Sequence, residues 1–431
     1  MRTRGWACLA IAALCLTGCK GFWDPLPSSG GGGGTTLSSG FFYVLNTSNN
    51  RLVGMYINAG VSTIISNDTF DLGATPLAIT VAPNNAFLYV STLGGIFVYT
   101  INSSNGLLTL ANNGQPISSD PAVSMQVDST NSWLVEGFPG TKALFAVHIN
   151  SSTGLLASNI EQQVALPAAT VQYVAVSPDN SYVLAAMGSN GTAAIPFASG
   201  NANPFGAAGV IGVVNTVGGA LSVAFDPVVA PATSPRLFYI GETAALSGTS
   251  NTGGLRAFNF STLNAANLST LREISGSPFA ISGNAPVSIL PFSSGSYVYV
   301  LNKYTSSSQT GVIAGFSVTD TNNTPALTAL SSTFAAGTNP EALAEDRSGQ
   351  FVLTVNFGGN PDLIGYTLDS THPGNLNKVV TGATGTAPTQ PNAIAALLCL
   401  RSTGAGRLLQ GFRFCCLQNL AQSSCAYEGQ R

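Results

Sequence analysis

One segment type recurs along most of the chain, and its period of about fifty residues limits the fold more than any other feature. Each copy is a short apolar strand, a turn rich in Asn, Asp, Ser or Gly, and an aromatic-containing strand. The clearest copy is Pro76-Leu-Ala-Ile-Thr-Val-Ala-Pro83, then Asn84-Asn85, then Phe87-Leu-Tyr-Val-Ser-Thr92. Further first strands begin at Ala122, Val171, Ala220, Pro286, Pro340 and Pro391, with spacings of 46, 49, 49, 66, 54 and 51 residues from Pro76 onward. A strand–hairpin–strand unit at this period predicts four-stranded antiparallel propeller blades. Third strands follow, such as Ile96–Asn102 ahead of Gly106 and Leu144–Asn150 ahead of Gly154.

The ends of the repeating region complement each other. Phe41–Asn46 resembles a second strand with no first strand before it, and Pro391–Leu398 a first strand with no second after it. Pairing them closes a ring and removes both free sheet edges. The expectation is therefore all-β: one seven-bladed propeller over residues 40–398. The composition agrees, with 48 Gly, 23 Pro and only 8% charged residues, as many short strands and tight turns require.

Outside the repeats the chain changes character. Arg2 and Arg4, the apolar run Trp6–Leu16 and then Leu16-Thr17-Gly18-Cys19 follow the layout of a signal peptide. Leu-Thr-Gly-Cys resembles the bacterial lipobox, which implies removal of residues 1–18 and a lipid on Cys19. Lys20 after the cysteine points to the outer membrane by the same resemblance. Residues 19–39 form a Gly/Ser/Pro-rich tether with five consecutive glycines, Gly30 to Gly34. The predicted location is the cell envelope, and the predicted membrane contact is this lipid. Residues 399–431 carry Cys399, Cys415, Cys416 and Cys425 with four Arg, and residues 20–398 carry no Cys. The tail lacks His and a CxxC pair, so zinc-ligand spacing is not met.

Tyr43-Val-Leu-Asn46, Tyr299-Val-Leu-Asn302 and Leu353-Thr-Val-Asn356, after Pro-led strands and Asn/Gly turns, resemble the YVTN-type propellers of the 6-phosphogluconolactonase family. The resemblance covers about residues 40–398 and implies a lactonase possibility. It also implies Pro-Arg-His at the channel, and this chain departs from that pattern. After the prolines it has Leu77-Ala78, Val287-Ser288, Glu341-Ala342 and Asn392-Ala393.

Residues 20–398 hold nine Lys/Arg against seventeen Asp/Glu, a formal charge of −8, which argues against nucleic-acid binding. A phosphorylated substrate needs clustered cations, and only Lys303 falls near the expected channel mouth. The candidate bases for lactone hydrolysis are Glu136, Glu242 and Glu341, because that chemistry needs a carboxylate to activate water. Lys303, Gln172, Asn392, Asn46, Asn302 and Asn356 are the candidate binding residues beside them. Glu345-Asp346-Arg347 is expected to be a solvated hairpin on the opposite face, and His148 and His372 are expected to lie away from the channel. No cofactor or metal is implied, and a monomer is expected. The expected function is an anchored propeller binding a small molecule, glycan or protein at its mouth. The alternatives are a lactonase acting on an unphosphorylated sugar lactone and a structural envelope scaffold.

Overall fold

The computed structural model describes residues 39–398 except 208, 247–252, 304–309, 323 and 386–388. The leader, Cys19, most of the tether and the Cys-containing tail lie outside the described residues. Seven antiparallel sheets carry the chain around a ring. Six blades are continuous in sequence, with inner strands Pro76–Val81, Ser124–Val127, Tyr173–Val176, Ala220–Phe225, Pro286–Pro291 and Pro340–Glu345 in blades 2 to 7. Blade 1 takes its inner strand from the end of the repeats: Pro391–Ala396 pairs antiparallel with Phe42–Asn46, placing Val44 opposite Ile394. Both complementary ends found in the sequence are thus joined. Every blade has four strands, and blade 6 adds a fifth, Phe334–Thr338, against its long third strand Thr310–Thr321.

Alternation along the strands explains why these blades stack. Tyr43 and Leu45 pack toward blade 2, whereas Phe42 and Val44 pack toward blade 7. A strand apolar on both faces must be covered on both, and a ring of sheets does this for every member. The core is accordingly divided into seven apolar clusters, one at each interface between blades.

Five of the six hairpins joining inner to second strands share one geometry, blade 5 having a longer loop between Phe225 and Leu237 instead. Asn85, Asn131, Asn180, Gly295 and Gly349 occupy the same turn position with φ of 57°, 59°, 58°, 72° and 68°. Asn and Gly tolerate this left-handed conformation, so the repeat places them there. Asp346 shows how such a turn is fixed: its carboxylate accepts from the backbone N–H groups of Ser348, Gln350 and Phe351. The hairpins also bond across blades. Asn84 N–H donates to Asn131 Oδ1, Ser129 N–H to Asn180 Oδ1, and Ser293 N–H to Glu345 Oε2. This hairpin face lies opposite the mouth, where loops enter the inner strands.

Candidate channel-mouth site

The mouth is shaped by a repeated irregularity. In five blades the pairing of inner and second strands skips one residue near the mouth: Leu77, Leu221, Val287, Glu341 and Asn392. Pro76 pairs with Thr92 and Ala78 with Ser91, for example, leaving Leu77 out of the ladder. Such a bulge frees one side chain from the sheet and re-aims it. All five are half-buried, although the prolines or alanine before them are buried. Val123 and Gln172 hold the same place in blades 3 and 4, where Gln172 is exposed and Tyr173 beside it is 38% exposed. The mouth ring is therefore mainly aliphatic, with polar groups at Gln172 and at the adjacent pair Glu341 and Asn392.

Behind this ring stands a second one, at the ends of the second strands. Asn46, Glu242, Asn302 and Asn356 are all fully buried there. Each asparagine clips a loop. Asn46 Nδ2 donates to Thr384 O and its Oδ1 accepts from Gln390 N–H; Asn302 Nδ2 donates to Ile281 O at 2.8 Å, and Asn356 Nδ2 to Pro361 O at 3.3 Å. Asn392 Nδ2 donates to Pro76 O of the next blade at 3.2 Å. The Oδ1 atoms of Asn302, Asn356 and Asn392 are buried with no hydrogen-bond partner among the described residues.

The three carboxylates do not converge. Glu242 is enclosed by Arg256, whose Nε lies 2.7 Å from Oε2, and by Asn215 Nδ2 at 2.8 and 3.0 Å. Burial raises its pKa, and Arg256 and Asn215 pull it back down. Glu341 is ion-paired to Lys303 across blades 6 and 7, with both side chains about one-fifth exposed. Burial raises its pKa, and the Lys303 ammonium opposes the rise. Glu136 is elsewhere. Its pairing with Met125 aligns it with Val90, Ile240 and Val300, two residues short of the mouth end. It is 1% exposed in the wall between blades 2 and 3, and its Oε1 has no hydrogen-bond partner among the described residues. Burial, with Glu161 and Asp120 nearby, lifts its pKa to about 8. Of the three, Glu341 alone is at the mouth with solvent access.

Three solved structures share this architecture. A candidate 6-phosphogluconolactonase of Bacteroides fragilis aligns with a TM-score of 0.61 at 16% identity, over 84% of this chain and 99% of its own. A second candidate, from Bacteroides uniformis, gives 0.60 at 15% identity, over 83% and 98%. The periplasmic gluconolactonase of Pseudomonas aeruginosa gives 0.57 at 17%, over 84% and 100%. The fold is that of the lactonase-like propellers. No protein-family model matches the chain, and no curated protein does.

Within this lactonase-like propeller, the bulged ring is the feature that strand counting missed. The sequence named Glu341, Asn392 and Gln172 singly, but nothing local marked Val123 or Leu221 as their counterparts. The signal is the residue after each strand-opening Pro, Ala or Val, which becomes visible once all seven repeats are aligned. The remaining polar groups lie on the faces expected from the sequence, but the Glu345-Asp346-Arg347 hairpin is not solvated as expected: Asp346 is 2% exposed, because its carboxylate is taken up by backbone N–H groups of its own turn and of Gly40. Glu345 accepts from Ser293 on the hairpin face, His148 stacks edge-on against Trp133 at 5.2 Å, and His372 is exposed beside Asp369.

Proposed function

We propose that this chain is an exported envelope protein, held by a lipid on Cys19, whose propeller binds an uncharged polyhydroxylated small molecule, a sugar or sugar lactone, at its mouth. The observation carrying this reading is the bulged ring. Aliphatic side chains there offer surface for the faces of a sugar ring, and Gln172, Asn392 and the Lys303–Glu341 pair offer donors and acceptors for its hydroxyls. Lys303 is neutralised by Glu341 and Arg256 by Glu242 and Glu273, so phosphate has no cationic cradle to favour it.

A second reading, hydrolysis of such a lactone, is favoured by one pair of residues. Glu341 would activate water while Lys303 stabilises the oxyanion that forms on the lactone carbonyl. Glu136 and Glu242 are poorly suited to act as bases, being enclosed away from solvent.

The test uses glucono-δ-lactone in a pH-stat and its non-hydrolysable lactam in calorimetry. Binding of the lactam weakened at least about tenfold by Glu341→Gln is expected. A Lys303→Met/Glu341→Gln double variant controls for the lysine left unpaired. Turnover above the spontaneous rate that disappears in Glu341→Gln would establish the hydrolase. Affinity untouched in both variants would place the ligand elsewhere.

A further inference from the structure

A depression of about 440 Å³ opens at the rim of the hairpin face between blades 1 and 2, lined by Phe41, Tyr56, Ile57, Ile65, Ser66 and Asn105. Phe41 and Tyr56 form an edge-on pair there, with centroids 6.1 Å apart. On the same outer strand of blade 1, Val61 and Ile64 are 63% and 39% exposed. Ser39, the first described residue, borders the depression as well. Its N–H donates to Ile57 O at 2.9 Å and its hydroxyl accepts from Ile57 N–H at 2.7 Å. The preceding chain is therefore launched from the wall of the groove.

That preceding chain has its own aromatic pair. Gly21-Phe22-Trp23-Asp24-Pro25-Leu26-Pro27 is followed by a Ser/Gly-rich stretch to Ser38, so fifteen residues separate Trp23 from Ser39. We propose that Phe22 and Trp23 fold back and seat in this groove, closing the tether into a loop on the hairpin face. A Ser/Gly-rich spacer of that length has a mean reach of about 20 Å as a coil, ample for a groove whose wall Ser39 already borders. Its effective concentration is on the order of millimolar, so an intrinsic affinity in that range suffices for occupancy. An aromatic pair entering an aromatic-lined groove has the apolar surface for it. Pro25 and Pro27 restrict the free tether and reduce what docking must order.

The docked tether also sets an orientation, a consequence that rests on the proposed lipid at Cys19. Three residues lie between Cys19 and Trp23. At about 3.3–3.6 Å per residue, the anchor is held within roughly 14 Å of the groove. The hairpin face then lies toward the membrane and the mouth points away from it.

Tryptophan fluorescence of the full mature chain carrying Cys19→Ser tests the docking without the lipid. Only Trp23 and Trp133 follow Cys19 in this chain, and Trp133 is 2% exposed, giving a constant background. The emission lost in Trp23→Phe is expected to be blue-shifted and shielded from iodide. Ser66→Arg or Asn105→Arg, both at exposed positions, is expected to turn that difference into the emission of a solvated indole. Solvated emission in the parent chain, or shielding that survives both arginine variants, overturns the proposal. So does a dimer seen in sedimentation that Trp23→Phe dissolves, since the groove would then hold a second copy's tether. Palmitate labelling of Cys19 in cells is scored separately: its failure would remove the lipid anchor and the orientation, and would leave the fluorescence result standing.

Discussion

A carboxyl in a place where four other blades put valine or isoleucine, and the remaining two Ala185 and Thr354, must stay neutral or carry a cost, and Glu136 has acidic neighbours in Glu161 and Asp120. Its pKa rises from the ordinary 4.5 to about 8 in the folded protein. The folded state then holds a proton that the unfolded chain releases, so stability is highest below about pH 4.5 on this account and falls as pH rises toward 8. At pH 7 the difference is on the order of 3 kcal/mol. Glu136→Val should therefore stabilise the protein by about that amount at pH 7 and flatten the fall between pH 5 and 8, as measured by urea unfolding. Equal stability of variant and parent across this range would show that the carboxyl is solvated or paired. Asp68, buried between blades 1 and 2 with a pKa near 6, contributes in the same direction. The sequence could not place Glu136 because Trp133-Leu-Val-Glu-Gly lacks the Tyr-x-x-Asn that marks the mouth end in Tyr43–Asn46 and Tyr299–Asn302. Only the pairing of Ser124 with Gly137 sets the count.

Strands are joined across blades by groups that the repeat words contain without explaining. Tyr43, Tyr89 and Tyr299 each donate through Oη to a carbonyl in the outer hairpin of the following blade, at Gly106, Gly154 and Gly374, all at 2.8 Å. Those glycines have φ of 73°, 71° and 87°, and a Cβ on any of them would press into Phe41, Phe87 or Tyr297. The tyrosine and glycine are thus two halves of one latch. Tyr89→Phe should cost about 1–2 kcal/mol in urea unfolding, since the Gly154 carbonyl loses its buried donor. Gly154→Ala should cost more, through strain and the clash with Phe87. If the tyrosine variant unfolds with the parent, the latch contributes packing only. Tyr239 shows why the sequence alone could not reveal the latch: with the same repeat position, it bonds Asp226 of its own blade instead. The period and the turn residues were legible because they are local. Which blade a hydroxyl reaches depends on the stacking.

At the scale of the whole molecule, closure is the step on which the other contacts depend. Without Pro391–Ala396, Phe42–Asn46 becomes an open edge and Ile394, Ala396 and Leu397 leave two interfaces, those of blade 7 with blade 1 and of blade 1 with blade 2. The ends are then fastened on the hairpin face. Gly40 N–H donates to Asp346 Oδ2 at 3.0 Å, while Leu398 exchanges two hydrogen bonds with Asn85, each 2.7 Å. This closure was foreseeable because two half-blades at opposite ends of a repeat have one mutual solution. The fifth strand of blade 6 was not, since its segment has no repeat signature, and neither were the bonds between hairpins, since which turn meets which depends on how the blades stack. A chain ending at Leu398 keeps every one of these contacts, so its stability should match the full chain within about 0.5 kcal/mol. A chain ending at Gln390 loses the strand and should fail to unfold cooperatively, because each remaining blade is stabilised by both neighbours and the ring has none to spare. Cooperative unfolding of the shorter chain would mean that six blades suffice. Loss of it in the longer one would give residues 399–431 a structural part to play.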